Sequence, residues 1–73
     1  MGKAFKPGMM GKVISNDPLN VRTKVGKDKY DIIKGDQLKR GTIVQLLAYE
    51  NYRYKIDYNG KDGYIYEEYV ELL

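Results

Sequence analysis

Tyrosines and charged side chains are the groups best suited to do chemistry in this chain, because the usual catalytic residues are scarce. The sequence has no histidine and no cysteine, and Ser15 is its one serine, so no conventional base is present to activate that hydroxyl. The same two absences remove the usual ligand sets for zinc and iron. We therefore expect no metal, no cofactor and no nucleophilic catalysis.

Two pairs of carboxylates are the remaining candidates for acid and base groups. Asp57 and Asp62 flank a predicted turn, and Glu67 lies beside Glu68. A paired-carboxylate site needs a cleft that shifts the pKa values of the two groups, and an exposed turn supplies none. Solvated surface charge is the better interpretation, and the sequence predicts that the protein is not an enzyme.

The tyrosines are concentrated in YRYKIDYNGKDGYIY, residues 52 to 66. Asn59-Gly60 between two alternating runs predicts a hairpin, because both central residues of a type I′ turn need a positive φ. With this two-residue loop, Tyr58 faces Lys61, and the pairing continues outward until Arg53 faces Tyr66. The register therefore decides which tyrosines lie on each face.

Side chains of the two hairpin strands alternate between an inner and an outer face. The inner face is apolar and carries Tyr54, Ile56, Tyr58 and Ile65. The outer face carries the charges and two tyrosines, namely Arg53, Lys55, Asp57, Asp62, Tyr64 and Tyr66. Cross-strand pairing with lysine and arginine stems would explain either outer tyrosine alone. Two on one face, with a third close by, favour a surface on which a ligand stacks.

The rest of the chain has the spacing of a small β-protein, with turn signals every eight to twelve residues from Gly11 onward. Residues 1–10 are predicted to be a flexible leader or linker, and residues 11–73 to form one domain. Residues 24–35 are predicted to be an extended loop that folds back as an irregular hairpin. Outside the hairpin, strands are predicted at 12–15, 19–23, 42–49 and 70–73, with one 3₁₀ turn at 67–69.

A chain of 73 residues can bury only one small core, and without cysteine no disulfide supports it. Alternation and turn spacing predict that this core includes Val13, Leu19, Val21, Val44, Leu46, Ile56, Ile65 and Val70. No apolar stretch approaches the roughly 20 residues of a membrane span. The sequence shows no signal peptide, although it could be a domain of a longer secreted protein.

The net charge of +3 is a mild bias, since basic and acidic residues are interleaved. A strong nucleic-acid binder has a clustered basic block instead. The outer face of the hairpin has the chemistry to stack bases, because Arg53 and Lys55 lie beside Tyr64 and Tyr66. The acidic residues on the same surface would repel phosphates, which disfavours nucleic acid as a partner.

Four motifs in this order resemble those of Src-homology-3-like barrels. GYIYEEYV, residues 63–70, is similar to the closing motif of these barrels. LNVR, residues 19–22, resembles the opening motif of the bacterial branch, called SH3b. LKRGT at 38–42, and YKI at 54–56 followed by NGK at 59–61, fall between them in the family's order. The resemblance covers about residues 11 to 72, nearly the whole chain.

This resemblance implies an all-β, five-stranded barrel of two packed antiparallel sheets with no catalytic centre. Bacterial domains of this type commonly target an attached peptidoglycan hydrolase to the cell wall, and the eukaryotic branch binds proline-rich peptides in an aromatic groove. The resemblance thus implies a non-catalytic binding module for cell-wall peptides, extracellular or associated with the wall if its parent is secreted. There are two alternatives. The domain could bind an extended peptide of a protein partner, or it could only space other domains.

The resemblance also implies where the ligand binds. Tyr64, Tyr66 and Tyr69 match positions that line the groove in the wider family, and Tyr66 falls where the eukaryotic motif has proline. Arg53 falls near the usual groove tryptophan, and this chain has no tryptophan. The long loop that carries Tyr30 should close one end of the patch. The predicted ligand site is therefore formed by the three tyrosines, with Arg53 and Tyr30 at its rim.

Overall fold

The computed structural model describes residues 4–73, apart from the side chain of Asp36. Its strands in chain order are β1 Met10–Val13, β2 Leu19–Lys24, β3 Tyr30–Leu38, β4 Ile43–Gln45, β5 Ala48–Glu50, β6 Arg53–Tyr58, β7 Lys61–Tyr66 and β8 Val70–Leu72, with a 3₁₀ turn at Glu67–Tyr69. They form a three-stranded antiparallel sheet in the order β4-β1-β8 and a five-stranded one in the order β3-β2-β7-β6-β5. No helix in the described chain is long and apolar enough to cross a membrane. The predicted all-β barrel is confirmed, although its strands are shorter and more numerous than the five expected.

An apolar core is formed by side chains from both sheets. Its buried members are Val13, Leu19, Val21, Leu38, Leu46, Tyr54, Ile56, Ile65 and Val70. Every predicted core residue belongs to this group except Val44, which is partly buried and packs against it. Tyr54, which the register placed on the inner face, has no exposed surface. Each fully buried aliphatic side chain contributes roughly 1.5–3 kcal/mol, so this cluster is the main source of stability.

The hairpin of β6 and β7 has the predicted register. Both residues of the Asn59-Gly60 loop have positive φ, 52° and 81°. The pairing runs from Tyr58 opposite Lys61 at the turn to Arg53 opposite Tyr66 at the far end. A two-residue loop with positive φ at both positions matches the right-handed twist of the strands, which is why Asn-Gly fixed the register.

One cross-strand pair in this hairpin brings two carboxylates together, Asp57 opposite Asp62. Lys55 Nζ lies 3.5 Å from Asp62 Oδ2, and Asp57 Oδ1 accepts a hydrogen bond of 3.1 Å from the backbone N–H of Gly60. Each carboxylate thus has its own compensating partner. Both carboxylates are exposed, as expected of surface charges.

Gly63 lies where β7 passes close to β2. A Cβ atom at position 63 would be 2.7 Å from Val21 Cγ1 and 3.2 Å from Tyr58 Cβ. Val21 is fully buried and β-branched, so it has little freedom to move aside. We expect Gly63→Ala to lower the free energy of unfolding by about 1–3 kcal/mol in urea denaturation.

The matched control for this substitution is Gly26→Ala. A Cβ atom at position 26 would meet only Lys29 Cβ, at 3.9 Å, and the glycine has no positive φ. We expect this variant to be within about 0.5 kcal/mol of the original protein. Equal stability of the two variants would contradict the close approach of β7 to Val21.

Residues 42–49 do not form one strand, and that prediction is wrong. β4 ends at Gln45 and β5 begins at Ala48, and the two strands belong to different sheets. The N–H of Leu46 donates to Met9 O, next to β1, whereas the N–H of Leu47 donates to Lys55 O in β6. The chain therefore crosses from one sheet to the other over two consecutive leucines, where its alternation of apolar and polar residues is broken.

Residues 24–35 are more regular than predicted, because β3 begins at Tyr30 and pairs with β2. Only residues 25–29 lie outside the two strands. The register shifts between Asn20 and Arg22, and Gly35 has a φ of +79° within β3. The predicted hairpin is present, and its irregularity is a local shift within a paired strand.

The segment before β1 contacts the barrel. The ring centroid of Phe5 lies 5.2 Å from that of Tyr54 and 6.3 Å from that of Tyr49. The N–H of Gly8 donates to Leu46 O at 2.7 Å. The predicted leader, residues 1–10, therefore includes residues that pack on the domain, and its first three residues lie outside the described part. The boundary at residue 11 stays a prediction.

Candidate functional site

A groove of about 460 Å³ lies between the turn that precedes β2 and the end of β7. This volume is within the range of roughly 300–1,000 Å³ that is usual for ligand sites. The lining residues are Ser15, Asn16, Asp17, Pro18, Leu19, Asn20, Arg22, Tyr66 and Tyr69. Tyr66 is 40% exposed and Tyr69 is 39% exposed, so both offer part of their surface to solvent. The groove combines these two tyrosines with a wall of polar side chains.

The end of β7 and the turn after it position the two tyrosines. Tyr66 is the last residue of β7 and alternates with the buried Ile65, so it lies on the outer face. The 3₁₀ turn at Glu67–Tyr69 follows at once, and the N–H of Glu67 donates to Tyr52 O. This turn brings Tyr69 to the same groove as Tyr66, as the sequence predicted.

The opposite wall is the turn at residues 15–18. Ser15 is buried, and its Oγ donates a hydrogen bond to Asp17 O. Arg40 donates from Nη1 to Ile14 O and, at 3.0 Å, to Asn16 Oδ1. These bonds hold the turn in place beside the tyrosines. The sequence predicted a turn here but did not assign it to the site.

Asn20 and Arg22 on β2 were also missed as site residues. The signal was available, because the alternation that places Leu19 and Val21 in the core places Asn20 and Arg22 outside. The pairing of Arg22 with Tyr64 makes β2 and β7 neighbours in the same sheet. The outer face of β2 is thus continuous with the outer face of β7, and the site extends over both.

Tyr64 does not line the groove. It lies on the outer face of β7, as the register predicted, yet it is only 6% exposed. The ring of Tyr30 from β3 covers it edge-on, with 5.2 Å between the ring centroids and an interplanar angle of 66°. Burial raises the pKa of the Tyr64 hydroxyl. The predicted exposure of Tyr64 is wrong, because β3 brings a second tyrosine over it.

Arg53 contacts Tyr66 from outside the groove. Its Cζ atom lies 4.5 Å from the ring centroid of Tyr66 and 4.2 Å from that of Tyr30. Each such cation–π contact contributes roughly 0.5–2 kcal/mol. Arg53 also donates from Nη1 to Asn51 O at 3.0 Å. The guanidinium is therefore engaged in holding Tyr66 and Tyr30, and Arg53 is not among the residues that line the groove.

Tyr30 is held by a polar network between β2 and the end of β5. Its hydroxyl donates to Glu50 Oε2 at 2.9 Å and accepts from Asn51 Nδ2 at 3.3 Å. Lys24 Nζ lies 2.5 Å from the same Glu50 oxygen. The hydrogen bonds from Lys24 and then Tyr30 lower the pKa of Glu50, and the bond to Glu50 raises the pKa of Lys24. This network ties the β2–β3 hairpin to the neighbouring turn.

The five predicted site residues thus divide into two groups. Tyr66 and Tyr69 line the groove. Tyr30, Arg53 and Tyr64 form a supporting cluster, in which Arg53 contacts Tyr66 and Tyr30 covers Tyr64. That a ligand binds at this surface stays a prediction.

The comparison with known families agrees with the fold. The sequence model of one protein family, the variant SH3 domain, matches residues 21–73. This range includes most of β2 and all strands from β3 to β8. The chain belongs to the variant SH3 domain family. No curated protein and no solved structure matches it. SH3-like domains are generally non-catalytic modules that bind peptides, and the match does not distinguish the bacterial SH3b branch.

The side chains that line the groove of this SH3 domain are suited to binding a ligand. Tyrosine rings offer apolar faces, and the asparagines and Arg22 offer hydrogen-bond donors. Among the side chains that the structure describes, no group of three or more acidic ones lies close enough to hold a metal ion. The groove can stack on a ligand and hydrogen-bond to it.

Three tyrosines of this SH3 domain have a raised pKa, namely Tyr49, Tyr54 and Tyr64. A hydrogen bond with Glu67 is the main cause that raises the pKa of Tyr49 to about 12. Burial is the main cause that raises the pKa of Tyr54 and of Tyr64. We therefore expect part of the ultraviolet absorbance of tyrosinate to appear only near pH 12.

The raised pKa of Tyr49 also predicts a change of stability with pH. An unfolded tyrosine loses its proton near pH 10, whereas folded Tyr49 keeps its proton until about pH 12. The folded state binds more protons in this window, so stability should fall as the pH rises through it. Urea denaturation at several pH values measures the slope. If Tyr49→Phe leaves both the slope and the late titration unchanged, the bond to Glu67 is contradicted.

Proposed function

We propose that this SH3 domain is a non-catalytic module that binds an extended peptide in the groove, and that the peptide belongs to the bacterial cell wall. The observation that carries the proposal is the open groove itself, with two half-exposed tyrosines facing a polar wall. Tyrosine suits peptide recognition because it offers a rigid apolar face and a hydroxyl at low cost in side-chain entropy.

The mixed character of the groove supports a peptide ligand. An extended peptide presents side chains and backbone polar groups together along its length. Side chains of the peptide can pack on Tyr66 and Tyr69, while its carbonyl groups accept hydrogen bonds from Asn20 and Arg22. A purely apolar ligand would leave these donors without partners, at a cost of about 1–3 kcal/mol for each buried group.

The cell wall as the source of the peptide rests on one motif, LNVR at residues 19–22, which resembles the opening motif of the bacterial SH3b branch. In this proposal the domain is part of a secreted protein and acts outside the cell, where an attached hydrolase performs the chemistry. Binding of the module would raise the local concentration of that enzyme at its substrate. The catalytic groups belong to the attached enzyme, and the domain supplies only affinity.

Nucleic acid is a weaker candidate for the ligand when the structure is considered than when the sequence is considered alone. The ring of Tyr64 is covered by Tyr30, so it cannot stack on a base. Arg53 is engaged by two rings, and Lys55 is paired with Asp62. Most of the outer-face groups that favoured base stacking already have partners within the domain.

The test of this proposal is co-sedimentation of the purified domain with Gram-positive cell walls. Parallel assays use an array of peptides, including proline-rich ones, and single-stranded DNA. We expect retention on walls and competition by soluble wall peptides. Binding to peptides of the array but not to walls would keep the peptide groove and reject the wall. Binding to DNA alone, with a steep dependence on salt, would reject both.

A further inference from the structure

Arg22 brings into the groove a positive charge that no described side chain pairs with. Its side chain is half-buried and lines the groove together with Tyr66 and Tyr69. Among the described side chains, the ion pairs join Lys24 to Glu50 and Lys55 to Asp62, and no carboxylate or other acceptor engages Arg22. A half-buried guanidinium without an acceptor has five donors available to a ligand.

Two asparagines of the groove also present donors. Asn20 Oδ1 accepts a hydrogen bond of 3.1 Å from Gln37 Nε2, and Asn16 Oδ1 accepts one of 3.0 Å from Arg40. Since each amide oxygen is engaged within the domain, the NH₂ group is the part of each side chain that remains for a ligand. Both amides line the groove, as Arg22 does.

The groove has one acidic lining residue, Asp17, and two positive side chains in it or beside it, Arg22 and Arg40. Asp17 is an exposed acidic residue in the turn, and the hydroxyl of Ser15 is used as a donor to the backbone. Arg40 lies next to the turn and adds a second positive charge near Asn16. The groove is therefore electrostatically suited to a ligand with acceptors and negative charge near Arg22.

We infer that the groove selects peptides that carry a carboxylate, which binds Arg22 through charge-assisted hydrogen bonds. The planar guanidinium can hold both carboxylate oxygens at once, and such bonds are about twice as strong as neutral ones. The amides of Asn16 and Asn20 hold carbonyl groups of the same peptide. This inference rests on the proposed peptide-binding function and names the chemistry of its ligand.

The test uses synthetic extended peptides made in matched pairs, with glutamate or glutamine at one position and with a free or amidated C-terminus. Fluorescence anisotropy gives the affinity of each peptide for the domain. We expect about a tenfold preference for the carboxylate, on the order of 1.4 kcal/mol. The two sets of pairs distinguish a side-chain carboxylate from a C-terminal one.

Arg22→Gln should reduce this preference to about one while leaving the amide-bearing peptides bound, and Arg22→Lys should keep part of it. Lys61→Gln is the control, because it removes the same charge from an exposed position in β7 outside the groove. It should keep the full preference.

Three results would overturn the inference. Peptides that bind without preference for the carboxylate would reject it and leave the peptide-binding function intact. A preference that survives in Arg22→Gln would place the carboxylate elsewhere. If no peptide of the set binds the original domain, both the inference and the proposed function are rejected.

Discussion

Ile65→Ala is expected to lower the free energy of unfolding by about 2–5 kcal/mol, enough to unfold much of the domain at ambient temperature. Ile65 has no exposed surface and lies in the central strand β7. Its truncation removes apolar contacts and leaves a cavity that the two sheets cannot fill by small movements. Urea denaturation followed by circular dichroism measures the change.

Ile43→Ala provides the matched control, because it makes the same chemical change on strand β4. Ile43 is 48% exposed, so its truncation should cost less than about 1 kcal/mol. The contrast between these two isoleucines isolates burial from β-propensity. Equal losses of stability in the two variants would contradict the core described for this barrel.

Replacing Tyr66 and Tyr69 together with serine is expected to weaken peptide binding at least thirtyfold, about 2 kcal/mol. These rings are the aromatic groups that line the groove, and both are more than one-third exposed. The double variant should remain folded, because both rings are partly exposed and neither belongs to the buried core. Calorimetric titration with a wall peptide measures binding, and a thermal melt confirms folding.

Tyr52→Ser is the appropriate control for the double variant. Tyr52 is 64% exposed and lies outside the groove, so its loss should leave affinity unchanged. Tyr64 is unsuitable for the binding test because it is buried, and Tyr64→Ser should destabilise the domain. Normal affinity in the double variant, or an equal loss of affinity in Tyr52→Ser, would contradict binding of the ligand in the groove.

The parts of the fold that the sequence predicted best are those set by local rules. Asn59-Gly60 fixes a tight turn, and the register of β6 and β7 follows from it residue by residue. Alternation then separates the buried Ile65 from the exposed Tyr66. Neither inference needs information from distant parts of the chain.

The features that escaped prediction depend on contacts between segments far apart in sequence. Tyr64 is buried because Tyr30, on a different hairpin, covers its ring. Arg53 lies over the ring of Tyr30 in addition to that of its predicted cross-strand partner Tyr66. Such contacts form only when the β2–β3 hairpin pairs with β7 in the same sheet, and no local pattern encodes that pairing.

The groove likewise combines features that local rules predict with features that depend on contacts between distant segments. The alternation that puts Val21 in the core also puts Arg22 outside. The turn at residues 16–18 is recognisable from its residue types. That this turn faces Tyr66 and Tyr69 across a groove follows from the pairing of β2 with β7, which involves residues over forty positions apart.

Mapping of amide chemical shifts in the labelled domain, titrated with soluble peptidoglycan fragments, tests the central claim most directly. Binding in the groove predicts that the shifts cluster at residues 15–22 and 66–69 and approach saturation together. The outer faces of β4 and β8 should stay unchanged. Shifts confined to those strands or to residues 25–29, or no shifts at concentrations that saturate the walls, would contradict the groove as the binding site.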